Sequence, residues 1–246
     1  MAGADPYLSF AARHDAFRTD APGRRAFFER LFVRHHVRRV LDCACGTGDD
    51  LLLFRSLGLR VEGSDLSDAM LVLAGAKLAD TNAEIPLVRA DFRDLPEQFA
   101  DSFDAVVCLS TSLPHLLDEA EILRALASMH DALRENGILV LDQGMTDRQW
   151  AERPRFMPAV NTSALCRLMT IDYAEDTFTV HVIDFADEGL ERAFHHDAFV
   201  YRRLLRDDYE RLLLQSGFRE ATFYGGFEFE TYSKAASRRL IVVAER

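Results

Sequence analysis

No stretch of the 246-residue chain approaches the ~18 consecutive apolar residues that a membrane-crossing helix needs. The opening residues lack a basic segment leading into an apolar core, so a secretory leader is not expected and the chain reads as cytoplasmic. Basic charge is scarce. Twenty-nine Lys and Arg stand against 40 Asp and Glu, a formal net charge of −11. Nucleic-acid surfaces are built from clustered basic side chains, so composition argues against a polyanionic partner and leaves only a local basic patch open. Cysteine is sparse as well: Cys43, Cys45, Cys108 and Cys166 lie in or near apolar runs without C-x-x-C spacing. They are expected to be reduced, buried thiols, and strand alternation plus a turn accounts for Cys43-x-Cys45 without a metal. Repeats and low-complexity segments are also missing. What remains, 48% hydrophobic and 28% charged residues, suits one soluble domain with an embellishment.

The most informative stretch is Val40-Leu41-Asp42-Cys43-Ala44-Cys45-Gly46-Thr47-Gly48-Asp49-Asp50. Val40 and Leu41 read as a buried strand with Asp42 near its end. Gly46 and Gly48 permit a tight turn close to a ligand, and Leu51, Leu52, Phe54 and Leu57 then follow a helical pattern. A strand that turns on glycine into a helix gathers free backbone N–H groups at the helix start, which is a nucleotide cradle. This cradle lacks the third glycine of a dinucleotide fingerprint and the Lys-Ser/Thr of a phosphate loop. Asp49 and Asp50 suit the helix dipole but would repel a pyrophosphate. The expected ligand is a phosphate-free nucleoside carrying positive charge, which describes S-adenosylmethionine.

Further along, Arg24 to His35 is helical, with Phe27, Phe28, Leu31 and Phe32 as its apolar stripe. Residues 1–20 place Phe10 with Phe17, and Tyr7 with His14, on shared helix faces. They read as a terminal helix that either covers the sheet or forms a lid. Strand two, Arg60–Asp65, ends on an acid able to accept ribose hydroxyls, although Ser64, Asp65 or Ser67 could instead cap the Ala69–Ala79 helix. Strand three, Ile85–Ala90, closes on Asp91-Phe92, where a carboxylate can accept the adenine amine and a ring can cover its face. Strand four, Phe103–Leu109, opens into Ser110-Thr111-Ser112-Leu113-Pro114-His115-Leu116, and the Glu119–Leu133 helix leads to strand five, Gly137–Asp142. Repeated strand–helix order demands a parallel sheet with helices on both faces. Residues from Gly144 to Pro158 read as irregular. Alternating runs at 163–173, 177–186 and 190–203 read as an inserted antiparallel meander. A helix over Asp207–Ser216 and strands over Phe218–Thr231 and Arg239–Ala244 complete the chain.

These motifs together look like a class I S-adenosylmethionine-dependent methyltransferase, and within it the pattern is similar to glycine and glycine/sarcosine N-methyltransferases. Arg39-Val40-Leu41-Asp42-Cys43-Ala44-Cys45-Gly46-Thr47-Gly48, Cys108 to Leu116 and Leu139-Val140-Leu141-Asp142 carry the likeness. The resemblance implies an α/β fold: a Rossmann-like, seven-stranded sheet with helices on both faces and a small antiparallel sheet as lid. One methyltransferase domain would span 1–246, with an N-terminal helical lid at 1–34 and an inserted substrate-side unit at 143–204. Cofactor contacts are implied for Asp42, Ala44, Gly46 and Gly48 in the loop, Asp65 and Leu66 at the ribose, Asp91 and Phe92 at adenine, and Leu109 and His115 near the sulfonium. Arg39 is implied at the cofactor's amino-acid end. Thr111 and His115 become the candidate catalytic residues, with lid-side Tyr7, Tyr173 and Tyr201 as candidate acceptor contacts; His195 and His196 read poorly as a base pair or metal site, because neighbours on a strand point to opposite faces.

The departures concern the acceptor. The glycine enzymes carry a carboxylate-holding arginine where this chain has Gly144, and an asparagine where it has Thr111. Glycine therefore loses its planar, bidentate partner, and Arg148, Arg153 or Arg192 would have to supply a cation from elsewhere. The expected chemistry is direct methyl transfer to a small acceptor, most simply an amine nitrogen. Transfer to oxygen or carbon, a cofactor sensor without catalysis, and a nicotinamide dehydrogenase are the competing readings. No membrane partner is expected, and homo-oligomer formation is left open.

Overall fold

The computed structural model describes residues 5, 7–17, 21–100, 102–162, 165–188 and 191–246. Helix and strand alternate through the first half: α1 (Ala11–His14), α2 (Arg24–Arg34), β1 (Arg39–Asp42), α3 (Asp49–Ser56), β2 (Arg60–Asp65), α4 (Asp68–Asp80), β3 (Leu87–Arg89), α5 (Leu95–Gln98), β4 (Phe103–Cys108), α6 (Glu119–Ala132) and β5 (Leu133–Gln143). The second half holds α7 (Asp147–Glu152), β6 (Phe156–Asn161), β7 (Leu165–Tyr173), β8 (Thr177–Glu188), β9 (Glu191–Arg202), α8 (Arg206–Gln215), β10 (Glu220–Tyr224) and β11 (Leu240–Glu245).

Seven strands form one sheet in the order β10-β11-β5-β4-β1-β2-β3, and β6 to β9 form a separate antiparallel sheet in chain order. β1 to β5 run parallel, while β11 returns antiparallel beside β5 and β10 beside β11. Alternation along the central strands splits the core in two. Leu41, Val106 and Leu139 face α6 and α8, where Ile122, Met129 and Leu212 are buried. Val40, Val107 and Val140 face α2 and α3, through Phe27, Phe28, Leu31 and Phe54. Each such large side chain contributes about 1.5–3 kcal/mol when fully buried. β1 has β2 on one side and β4 on the other, so the chain order reverses between β1 and β4. Open α/β sheets leave a crevice at the carboxyl ends of such a pair.

The structure corrects several expectations. Gly144 to Pro158 is not irregular, since α7 and the first half of β6 occupy it. Thr146 accepts from the Gln149 backbone at 3.2 Å and the Gln149 side chain accepts from Thr146 N at 3.3 Å, a capping box that starts α7. Over 218–231 the bulge or bend expected at Gly225-Gly226 is a bend that ends the strand: β10 stops at Tyr224, and a single bridge joins Tyr224 to Thr231. Residues 7–17 are not one continuous helix. α1 passes into a 3-10 turn at Asp15–Phe17, while residues 1–4, 6 and 18–20 lie outside the described ones.

Candidate active site

The crevice between β1 and β4 is built first by the glycine loop. Gly46 and Gly48 take φ of 52° and 87°, a region that side chains disfavour. A Cβ on Gly48 would press on Ala74 at 3.3 Å, whereas one on Gly46 would meet nothing within 4 Å. The loop therefore packs on α4 through Gly48 and faces open space through Gly46. Its backbone is stitched in place: Ala44 N donates to Asp42 at 3.2 Å, Cys45 N to the Ser64 carbonyl at 2.9 Å, and Gly46 N to Asp65 Oδ2 at 2.8 Å.

Asp65 thus stands beside the loop, its other oxygen accepting from Ser67 N at 2.9 Å. The N-cap of α4 is Ser67, whose hydroxyl accepts from Met70 N. Asp65 is released from that competing role. Burial raises its pKa, with the Asp5 carboxylate adding to it, against the backbone donors of Ser67, Gly46 and Leu66 that would lower it. Leu66 is 54% exposed, an apolar side chain left on the rim next to the acid. Asp91 follows at the end of β3. Burial would raise its pKa, but Arg93, which grips both carboxylate oxygens, outweighs burial and holds it below the usual range. Phe92 is half-buried against the core beside it.

Asp49 and Asp50 do not present bare negative charge as the sequence suggests. Lys77 of α4 reaches Asp49 at 2.5 Å, and Arg24 of α2 reaches Asp50 at 2.7 Å. The case against a pyrophosphate therefore rests on the missing third glycine and lysine rather than on repulsion.

Arg39 is also misplaced by sequence reasoning. It begins β1, about 10 Å of extended strand away from Asp42 at the far end. There its guanidinium binds Glu62 at 2.6 and 3.0 Å and lies over Phe103. A different arginine reaches the crevice. Arg24 is 8% exposed, lies 3.8 Å from Asp142 as well as on Asp50, and its buried Nε has no hydrogen-bond partner. Eighteen residues separate Arg24 from Asp42, and only the packing of α2 under the sheet brings it in, so no local motif announces it.

On the β4 side, Leu109 buries its side chain in the core and offers only backbone to the crevice. Ser110 and Thr111 follow with φ of 57° and 70°. For a β-branched residue such a φ is an outlier, and consecutive ones mark a forced loop. Asp142 forces it: Ser110 N donates to Asp142 Oδ1 at 2.5 Å and Thr111 N to the Asp142 carbonyl at 3.0 Å. Thr111 Oγ1 accepts from Gly144 N at 3.3 Å. A Cβ at Gly144 would meet nothing within 4 Å. The pairing of Leu240 with Gln143 sets Arg239 beside Gly144, and its guanidinium donates to Asp142 at 2.7 Å.

His115 ends a 3-10 turn at Leu113–His115 and is roofed by aromatic rings. Its Nε2 shares a 2.7 Å hydrogen bond with the Tyr7 hydroxyl. The Tyr201 ring is centred 4.5 Å away, and Phe199 stacks on Tyr7 at 5.2 Å. Burial pulls His115 down to about 4, so its imidazole is neutral near pH 7. Burial likewise pushes Tyr7 and Tyr201 up, keeping both as phenols. Of the three lid-side tyrosines offered by the sequence, Tyr7 and Tyr201 meet at His115, whereas Tyr173 bonds the Pro154 carbonyl and packs on Trp150; the meeting at His115 depends on the second sheet folding over the first. The other candidates fall away from this cluster. His196 bonds His181 at 3.0 Å on the exposed face of the second sheet, opposite to His195. Arg148 pairs with Glu152, Arg153 stacks on Trp150 and Tyr173, and the side chain of Arg192 lies outside the described residues. All four cysteines are free thiols.

Residues 40–137 match the family described as "Methyltransferase domain". A glycine/sarcosine N-methyltransferase of Aphanothece halophytica is 31% identical over 224 residues, covering 89% of this chain and 80% of that protein. Two solved structures share the fold. An S-adenosylmethionine-dependent methyltransferase from Clostridium acetobutylicum gives a TM-score of 0.83 at 17% identity, covering 97% of this chain and 98% of its own. The sugar N-methyltransferase KedS8 from Streptoalloteichus gives 0.77 at 23%, covering 96% and 92%. Among the described residues, no helix is long and apolar enough to cross a membrane.

Proposed function

Since the chain belongs to the class I S-adenosylmethionine-dependent methyltransferases and is an enzyme of that kind, we propose that it methylates the nitrogen of a small amine in the pocket under Tyr7 and His115. The observation that carries this reading is the 2.7 Å Tyr7–His115 bond, made by two neutral, buried groups at the carboxyl end of β4. The glycine/sarcosine relative supports nitrogen as the acceptor atom.

The residues present fit the cofactor. Open space in front of Gly46 and the unpartnered Nε of Arg24 suit its amino-acid part, with Arg24 standing at the end of the cofactor where the resemblance had implied Arg39. Asp65 and Leu66 suit the ribose, and Asp91 with Phe92 the adenine. When bound, the cofactor supplies an electrophilic methyl group on a sulfonium. The protein's part is to hold the amine in line and keep water out.

A histidine titrating at about 4 is a poor acceptor for an ammonium proton. The amine must therefore arrive as the free base, and its proton leaves to solvent after the N–C bond forms. Whichever way the Tyr7–His115 hydrogen bond runs, the phenol oxygen keeps a lone pair for an incoming N–H, so Tyr7 can aim the nitrogen lone pair. The room at Gly144 favours an amine with a body larger than glycine.

Labelled S-adenosylmethionine and a panel of glycine, sarcosine, alkylamines, amino sugars and matched alcohols test the proposal. Label should appear on nitrogen, with a rate that climbs with pH as the free-base fraction of the amine grows. Label on the alcohols alone, or binding without transfer to any member, would overturn it. Within the same assay, Asp65→Ala should weaken S-adenosylhomocysteine by about 1–3 kcal/mol, the worth of hydrogen bonds to a charged acceptor. Calorimetric titration giving the wild-type affinity would remove Asp65 from the ribose.

A further inference from the structure

Residues 7–17 form a strap between the second sheet and the glycine loop, and its densest set of polar contacts lies away from His115. Asp184 on β8 is fully buried and Arg167 on β7 is 1% exposed. Arg167 donates to both Asp184 oxygens at 2.6 and 2.7 Å and to the Arg13 carbonyl at 2.9 Å. Arg13, on the strap, donates to Asp184 at 3.0 Å and to Asp197 on β9 at 2.6 Å. Ser9 adds a bond to Asp197 at 2.8 Å. Two guanidiniums and two carboxylates thus close a charge-matched cluster between the strap and the second sheet.

From that cluster to His115 the contacts are continuous. The Arg167 guanidinium lies over Phe10 at 5.0 Å, Phe10 meets Phe199 edge-on at 5.2 Å, and Tyr7 stacks on Phe199. The same strap also lies on the cofactor side. Asp5 accepts from Ser67 Oγ at 2.6 Å, beside Asp65, and Asp15 accepts from Thr47 of the glycine loop at 2.6 Å and from Lys77 at 2.7 Å.

A buried ion cluster gains little net stability once desolvation is counted, so strength alone does not account for it. What forked guanidinium bonds supply is orientation. We propose that Arg13 and Asp184 are positioning residues for Tyr7. They lock the strap and the four-stranded sheet into one cap, which sets the phenol on His115 and has to lift as a single piece when the cofactor enters or leaves. This rests on the reading of Tyr7 and His115 as the acceptor-side pair.

Arg13→Met tests it, because the substitution removes the strap's half of the cluster and leaves the Arg167–Asp184 pair intact. The measurements on the full chain are stopped-flow dissociation of S-adenosylhomocysteine, amide hydrogen exchange over 7–17, and kcat and KM with the fastest amine of the panel, beside Tyr7→Phe and the double variant. Arg13→Met should release S-adenosylhomocysteine roughly tenfold faster, expose 7–17 to exchange, and lower kcat more than it raises KM. In the double variant kcat should fall no further than in Tyr7→Phe, because residues coupled through one shifting backbone segment do not add independently. Should Arg13→Met fail to fold, Asp197→Asn carries the same measurements. Wild-type dissociation, or strictly additive kcat losses, overturns the proposal and leaves the cluster as part of the fold. Unchanged amine methylation in Tyr7→Phe would sink the acceptor reading and the positioning role together; a loss there with none in Arg13→Met sinks the positioning role alone.

Discussion

Asp142→Ala should lower the free energy of unfolding by about 3–5 kcal/mol, the cost of removing one partner from a buried ion pair. Asp142 is 4% exposed and serves three groups at once. It takes Ser110 N at 2.5 Å and Arg239 at 2.7 Å, with Arg24 at 3.8 Å. Alanine would leave two guanidiniums facing each other across an empty position and a backbone donor unsatisfied. It would also release Ser110 and Thr111, whose left-handed backbone stores about 1–3 kcal/mol per residue and persists only while the surroundings impose it. The loop that carries Thr111 towards the acceptor should relax, so turnover ought to fall by more than the folded fraction does. Asp142→Asn, which can still accept from Ser110 N, should land between the two. Urea denaturation with the midpoint converted to free energy is the check, and a change inside about 0.5 kcal/mol, typical of an uninvolved surface residue, would contradict the account.

The second large effect concerns acid. An imidazole titrates at about 6.5 when free and at about 4 in this pocket, where burial disfavours its charge. As pH falls below 6.5 the unfolded chain takes up a proton at His115 that the folded chain refuses until about 4. The unfolded state binds more protons across that window, so stability rises with pH there and is lost on acidification. The full shift corresponds to about 3 kcal/mol. Other carboxylates titrate over the same range, so the prediction is a difference: between pH 6.5 and 4 the wild type should lose about 3 kcal/mol more than His115→Gln. Parallel stability curves would show that the imidazole is solvated after all.

The parallel half of the sheet was legible because strand and helix patterns alternate through it and an acid stands at or just past the end of each of its first three strands. Asp42, Asp65 and Asp91 mark three consecutive carboxyl ends, and the glycine turn fixes which edge of the sheet they share. What the motif could not convey was direction along a strand. Arg39 belongs to the same motif run as Asp42, yet in an extended strand three residues are enough to put it at the opposite edge, on Glu62. Arg24 was illegible for the converse reason. It lies far from the loop in sequence and arrives only through the packing of α2, whereas Tyr7 could be offered as a lid-side contact but not matched to His115. The mistaken irregular stretch after Gly144 did carry a local signal, Thr146-Asp147-Arg148-Gln149. It was overlooked because a helix of one and a half turns has too little apolar periodicity to stand out beside its cap.

The antiparallel insert has a consequence for how the larger sheet assembles. Gln143 on β5 must find Leu240 on β11, and everything between them is otherwise a single long loop. β7, β8 and β9 pair with their sequence neighbours across short turns, contacts of the kind that form early. Once paired, β6 and β9 lie at opposite edges of a four-stranded sheet, about 14 Å apart at the usual strand spacing. A closure that would have ordered a free segment of some 95 residues then leaves about 50 outside that sheet, a saving of about 0.6 kcal/mol in chain entropy. The antiparallel sheet is thus also a prefolded spacer, which lets the final strand reach the middle of a sheet already begun.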